Sequence, residues 1–530
     1  MKNTYLIFIT LLITSLTSCF DDKGNYDYEN PEENVIGNIE NDYHLISFKD
    51  SLVIVPELEG INENENTTYL WTIYSSGSTK ESEAITQEKR LGIRSKVLSE
   101  ERNLNFKINL STGTYRINYE VKDGITGLTS LASTYLTVNT EFTKGFYILK
   151  ETSEGNSEID IYTSENSLLE NLISNVSGTT LEGSPLTFGL WPRFSYLDTT
   201  SGDLDTKNFL LPITKKGKLA MIRTEDFKQI RNLEEMFYKG VDPGKPIFAY
   251  ANAENYNVVT SSGYFSNGQV ANVGIVSSGY FGRVSTLPEE PSNYEFSQFA
   301  CLYGKGALLY DNLHHRFIES DFVIGNLHLI SDQDAQYKAN NIEDELVYIG
   351  GGSLSNKDYA FAIFNKKNSQ QKRVYSFGQI DLTKYTNTID DIVDIPLNSA
   401  MTQANIFACS KKYAKLIYYV SNNKIYVYKF ISRTEKELTF EGLPQDEEIT
   451  YLENIYSSVS EDVKFHHLIV GTYKDGNYSI YMYNTLGGLP LDGPQKIIKG
   501  KGKVVKLQYL NSGIDNHENK RFDNMYSLQY

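Results

Sequence analysis

The chain has 530 residues, with 50 Lys plus Arg against 67 Asp plus Glu and a formal charge of −17. That balance opposes nucleic acid and anionic lipid headgroups as partners, and the length suits two or three domains. With 3 Cys in all, the sequence offers neither a CxxC pair nor a Cys/His spacing for zinc. Tyr is abundant at 39, beside 26 Phe and 2 Trp. Such residues favour half-buried strands. Long helical patterns are nearly absent, so the composition predicts an all-β chain.

At the N-terminus, Lys2 precedes the apolar run YLIFITLLITSL, Tyr5 to Leu16. As a helix this run rises about 18 Å, short of a bilayer core of about 30 Å. It reads as the h-region of a signal peptide covering residues 1–18. The residues Leu16-Thr17-Ser18-Cys19 follow and resemble the bacterial lipobox, which implies cleavage before Cys19 and lipidation of its thiol. Loss of Lys2 with the leader takes the charge from −17 to −18. No later stretch has the apolar length that spanning needs. Residues 19–35, CFDDKGNYDYENPEENV, form a polar, acidic tether. The acidic pair Asp21-Asp22 resembles the surface-export signal of Bacteroidota lipoproteins. The expected location is therefore the outer membrane, lipid-anchored and exposed at the cell surface.

Residues 36–140 carry short alternating strands, among them SLVIVP (51–56), YLWTIY (69–74), NFKINL (105–110), GTYRINYEVKD (113–123) and TYLTV (134–138). By the two-residue period, Trp71 and Ile73 oppose Leu70 and Thr72, and Tyr115, Ile117, Tyr119 and Val121 share one face. Strands of this length and spacing predict a β-sandwich. The central Trp, the later GTYxxxxxVxDG and a final alternating strand resemble a PKD or immunoglobulin-type domain. That resemblance implies that Trp71 fills the space between sheets and that Tyr115 serves as a tyrosine corner. Asp123-Gly124 is a turn pair.

From Lys144 to the end at 530 the strands come in sets: GFYILK and EIDIYT (145–163), NFLLPI and KLAMIR (208–223), IFAYAN and YNVVTS (247–261), QFACLY to HRFIES (298–320), ELVYIG to RVYSFGQI (345–380), IFACS to KIYVYKF (406–430), and HLIVGTY with YSIYMYN (467–484). The sets recur at roughly 45–55 residues, which predicts a β-propeller of about seven blades. A second pair of sandwiches is the rival architecture. The last strand, KVVKLQYL (503–510), is placed to close the ring beside 145–163. Asn422-Asn423 is a hairpin signal, and the repeated SSGYF (261–265 and 277–281) reads as two successive hairpin arms.

Taken together, the lipobox, the CFDDKGNYDY tether, the PKD-like segment and the propeller-like remainder resemble the PKD-like lipoproteins of Bacteroidota. The resemblance implies an accessory or ligand-binding subunit of a SusC/SusD-type nutrient uptake system. Its partners would be the outer membrane through the lipid, a transporter of that type, and a glycan or peptide ligand. A structural or adhesive surface protein, or a glycan-active enzyme, are the alternatives.

No catalytic constellation, metal site or cofactor site emerges from the residues, and a non-enzyme is expected. The pairs His314-His315 and His466-His467 would point to opposite faces of a strand. Asp198, Asp203 and Asp205 depart from the EF-hand spacing. Asp390, Asp391 and Asp394 could supply one glycosidase carboxylate but leave its partner unassigned. Gly350-Gly351-Gly352 lacks the Lys-Ser/Thr of a phosphate loop. Lys499, Lys501, Lys503 and Lys506 read as a solvated edge. Cys301 and Cys409 read as two buried thiols, with a disulfide between them left open. Trp191, in GLWPRF between strand sets, is the candidate ligand-binding residue, with a core position as its alternative.

Overall fold

A computed structural model describes residues 35–511 except 48, 76–95, 109, 111–112, 143, 200–201, 203, 252–254, 269–276, 283, 289–292, 304–305, 322–324, 355–356, 379–388, 413 and 458–464. The leader, Cys19, Asp21, Asp22 and Asp203 lie outside the described residues. Among the described residues nearly all regular structure is β, with one short α-helix at Leu172–Ser177. The chain divides into two compact units, Met1–Asn139 and Thr140–Tyr530.

In the first unit, five strands form a sheet in the order Asp42–Ile46, Thr129–Asn139, Gly113–Lys122, Thr68–Ser75 and Lys96–Ser99. Among the described residues two smaller sheets accompany it: Ser51–Ile54 with Leu104–Lys107, and Val35–Gly37 with Glu57–Glu59. Alternation sends Trp71 and Ile73 inward, opposite Tyr119 and Ile117 on the neighbouring strand. They meet Leu52, Ile54, Leu104, Leu136 and Val138 in one core, which makes the unit a β-sandwich. Trp71 is fully buried and stacks on Tyr119 at 4.0 Å. Its indole N–H donates to the Glu101 carbonyl at 3.0 Å. Tyr115 packs, half-buried, at the margin of this core. The Asp123 carboxylate accepts from the N–H groups of Asn62, Ile125 and Thr126 at 2.7, 2.8 and 2.7 Å. Those bonds favour its charged form and hold its pKa well below the usual carboxylate range.

Trp71→Ala is expected to destabilise this unit by about 3–5 kcal/mol, because it leaves a cavity and orphans the Glu101 carbonyl. Denaturant unfolding followed by circular dichroism measures it. A loss under about 1 kcal/mol would show that the indole does not hold the two sheets together.

The described residues of the second unit form seven antiparallel sheets, hereafter blades one to seven. Blades two to seven begin with their innermost strands: Pro185–Leu197, Pro246–Ala251, Cys301–Tyr303, Glu345–Leu354, Ile406–Cys409 and Glu448–Ser457. Blade one is assembled from both ends of the unit. Its innermost strand is Lys503–Asn511, which pairs antiparallel with Lys144–Glu151. The innermost strands of blades four to seven touch in sequence, that of seven touches that of blade one, and that of one touches that of two. Shared cores join blades two and three, and three and four. The unit is a closed seven-bladed β-propeller.

Its core lies between blades, so both faces of most strands are buried. On Lys144–Glu151, Phe146 and Ile148 pack toward blade seven, against Tyr451, Ile469 and Ile480. Tyr147 and Leu149 pack toward blade two, against Phe188, Leu190 and Leu210. Two buried charge networks lie where blades seven and one meet. Lys506 pairs with Glu453 at 3.1 Å, and the Tyr451 hydroxyl also donates to Glu453. Lys150 pairs with Asp160 at 2.8 Å, and Asp160 accepts from the Tyr478 hydroxyl at 2.8 Å. Lys506 is thus a buried partner in the ring closure rather than part of a solvated edge, while Lys499 and Lys501 are exposed.

The Asn422-Asn423 hairpin forms as expected, with φ of 49° and 58°, the two left-handed residues that a type I′ turn requires. The SSGYF repeat divides. Its first copy opens strand Gly263–Gly268, whereas the second is irregular and contributes an isolated parallel bridge from Phe281 to Phe237.

Candidate functional site

A cavity of about 940 Å³ opens at the propeller face where the innermost strands begin. Its lining comes from blades two to six: Leu186 and Ile247, the loop Glu295–Phe299, Asn312 and His315, Glu343–Val347 with Asn365 and Lys372, and Ala404, Asn405 and Phe407. Ligand sites commonly run to about 300–1,000 Å³ and combine an apolar wall with a few fixed polar groups.

The apolar wall has a local cause. Leu186, Ile247, Val347 and Thr450 each drop out of the ladder near the start of an innermost strand, and Val505 does the same in blade one. A bulge of this kind re-aims one side chain and is common beside sites. Leu186, Ile247 and Val347 thereby form cavity lining, together with Phe299 and Phe407. Sequence reading missed these residues. With both strand faces buried, consecutive apolar residues are ordinary, and an extra one carries no distinguishing mark.

The polar groups lie in rows along the top of blade five. Glu345, Asn365 and Lys372 are register partners on three adjacent strands and so share one face. The Lys372 ammonium donates to the Asn365 side-chain oxygen Oδ1 at 2.7 Å, and the Asn365 side-chain amide donates to the Glu345 carboxylate at 3.1 Å. Lys372 is 5% exposed and sits 5.8 Å from the centre of the Phe407 ring. Burial pulls its pKa down, with Glu345 opposing. Beside this row, Asp344 pairs with Arg373 at 3.0 Å and Glu343 with Lys367 at 3.1 Å.

Of the sequence-derived candidates, His315 lies in this lining, and the other described ones fall elsewhere. Trp191 is fully buried in Pro185–Leu197, with Phe194, Phe281 and Tyr256 rings 4.7, 5.5 and 5.9 Å away. Its N–H donates to the Tyr250 carbonyl at 3.1 Å. It is a core residue between blades two and three, and no face is left for a ligand. Pro192 made the segment look like a connection, but it sits at a bulge between Trp191 and Phe194 on an innermost strand. There the missing N–H costs no ladder bond.

Asp390, Asp391 and Asp394 lie on Ile389–Asp394, the outermost strand of blade five. Asp390 pairs with Lys415 at 3.0 Å, Asp391 with Arg433, and Asp394 with Arg373 at 2.6 Å. The structure does not bring them to the cavity. Gly352 is needed for packing: a Cβ there would lie 2.3 Å from the Ser410 carbonyl oxygen. Cys301 and Cys409 are both free and buried, and burial raises both thiol pKa values. Among the described residues, no group of three or more His, Cys, Asp or Glu could hold a metal ion, and no helix is long and apolar enough to cross a membrane.

His314 and His315 occupy a turn rather than a strand, His315 at φ 52°, and His314 Nδ1 lies 2.6 Å from the Asp311 carboxylate. His466 and His467 are on strand Phe465–Lys474. His466 Nε2 lies 3.2 Å from Asn454 Oδ1, and His467 stacks on Phe465. Burial lowers both pKa values to about 4. Unfolding frees them to bind protons below about 6.5, so the unfolded state then carries more protons. The propeller is therefore expected to lose stability as pH falls from about 6.5 to about 4, each histidine contributing at most about 1.4 kcal/mol per pH unit crossed. His466→Gln with His467→Gln should flatten that part of the stability curve. An unchanged slope would place the acid sensitivity in other groups.

Fold and cavity together define a seven-bladed propeller with a ligand-sized cavity at one face, preceded in sequence by a β-sandwich. Residues 19–185 match the model of the PKD-like family. No curated protein matches the chain. Among solved structures, a quinonprotein alcohol dehydrogenase-like protein from Bacteroides thetaiotaomicron aligns over 90% of this chain and 99% of its own, with 14% identity and a TM-score of 0.39. BamB from Moraxella catarrhalis aligns over 69% of this chain and 82% of its own, with 11% identity and a TM-score of 0.30.

Proposed function

We propose that this chain is a lipid-anchored outer-membrane surface protein that binds a nutrient, glycan or peptide, as an accessory subunit of a SusC/SusD-type uptake system. The observation that carries the binding role is the cavity at the propeller face, with its bulged aliphatic wall and its ordered polar row. The anchor rests on the leader and Cys19, and surface display on Asp21 and Asp22. Two acyl chains suffice for stable attachment. A body so tethered works at high effective concentration near a membrane partner, so a weak contact is well occupied.

Extraction of the native protein in detergent, followed by mass spectrometry of the mature N-terminus, of co-purifying proteins and of bound small molecules, tests the three parts together. The expected result is an acylated Cys19, a transporter-type partner and a bound nutrient. Cys19→Ala should leave unprocessed or soluble protein. An unmodified mature terminus elsewhere removes the anchor. Recovery of the protein alone, without partner or ligand, replaces the uptake role with a structural one.

A further inference from the structure

Resting on the cavity as the binding site, we infer that its ligand is a neutral saccharide whose hydroxyls are read by Glu345, Asn365 and Lys372. These groups alternate acceptor and donor along one line, and each keeps hydrogen-bonding capacity beyond the bonds within the row. The ammonium has two further N–H groups, the Asn365 amide one, and the Glu345 carboxylate further lone pairs. A hydroxyl both donates and accepts, so adjacent sugar hydroxyls can pair with such a row in register.

The row is also held in place before a ligand arrives. It lies on three hydrogen-bonded strands, and Lys372 is packed beside the Phe407 ring. Preorganisation of this kind lowers the ordering cost of binding.

The charges argue against an anionic ligand. Lys372 is balanced through Asn365 by Glu345, while Asp344 and Glu343 have Arg373 and Lys367. The lining therefore presents no uncompensated cation to attract phosphate, sulfate or carboxylate. Phe299 and Ile247 supply apolar surface for the C–H face of a sugar ring.

The test is calorimetric titration of the full mature chain with three sets of probes: neutral oligosaccharides, their sialylated or sulfated counterparts, and short peptides. Each is repeated with Lys372→Met and Glu345→Gln, and with Lys474→Ala, at an exposed ion pair of blade seven outside the cavity lining, as control. Neutral oligosaccharides are expected to bind, with affinity reduced at least tenfold in both row variants and unchanged in the control. Glu345 is exposed, so Glu345→Gln reports on binding even where Lys372→Met perturbs folding, which the melting temperature reveals. Tighter binding of anionic sugars, or sugar binding indifferent to both variants, overturns the inference. Peptide binding without sugar binding overturns it too, while leaving the cavity as the binding site. Failure of all three sets removes the inference and the binding role together.

Discussion

Truncation after residue 502 is expected to abolish cooperative folding of the propeller. The deleted strand Lys503–Asn511 is the innermost strand of blade one, and it joins the end of the unit to its beginning at Lys144–Glu151. Val504 and Leu507 belong to the core between blades seven and one, and Leu510 to the core between blades one and two. Burial of such side chains contributes about 1.5–3 kcal/mol each. The deletion also removes Lys506 from Glu453, which is 1% exposed. A buried charge stripped of its partner costs about 3–5 kcal/mol. Those losses together reach the whole stability of an ordinary domain, about 5–15 kcal/mol. Hydrogen exchange should show the amides of 144–502 unprotected, and the thermal transition of the propeller should vanish. A melting temperature within a few degrees of the parent would show that the ring does not depend on this closure.

Trp191→Ala is expected to destabilise the propeller by about 3–5 kcal/mol, the range for deleting a buried aromatic. The indole contacts rings from blades two and three, and its loss also leaves the Tyr250 carbonyl without its donor. Trp191→Phe should lose less, since it keeps ring contacts and forfeits mainly the hydrogen bond. Denaturant midpoints at unchanged m-value measure both effects. A loss under about 1 kcal/mol, with ligand affinity reduced, would instead return Trp191 to a binding surface.

Sequence alone determined the all-β class and pointed to a propeller of about seven blades with a closing strand at 503–510, against a sandwich pair as the rival. Those features are written in local patterns: alternating apolar residues, recurring sets, and turn signals such as Asn422-Asn423. Trp71 was likewise legible, because a two-residue period states which face a residue occupies. The interior of the propeller was less so. Strand Pro185–Leu197 was overlooked because Pro192 resembles a break, and only its place at a bulge on an innermost strand explains why the proline is tolerated. Lys506 looked solvated because its partner Glu453 lies 53 residues away.

The cavity was invisible for the same reason at larger scale. Leu186, Ile247 and Val347 enter it through single-residue bulges, and Glu345, Asn365 and Lys372 become neighbours only through strand register. Side-chain periodicity is a local property of the chain. Register, bulges and blade-to-blade packing are set by the simultaneous fit of distant strands, and at this site they decided which residues face the cavity.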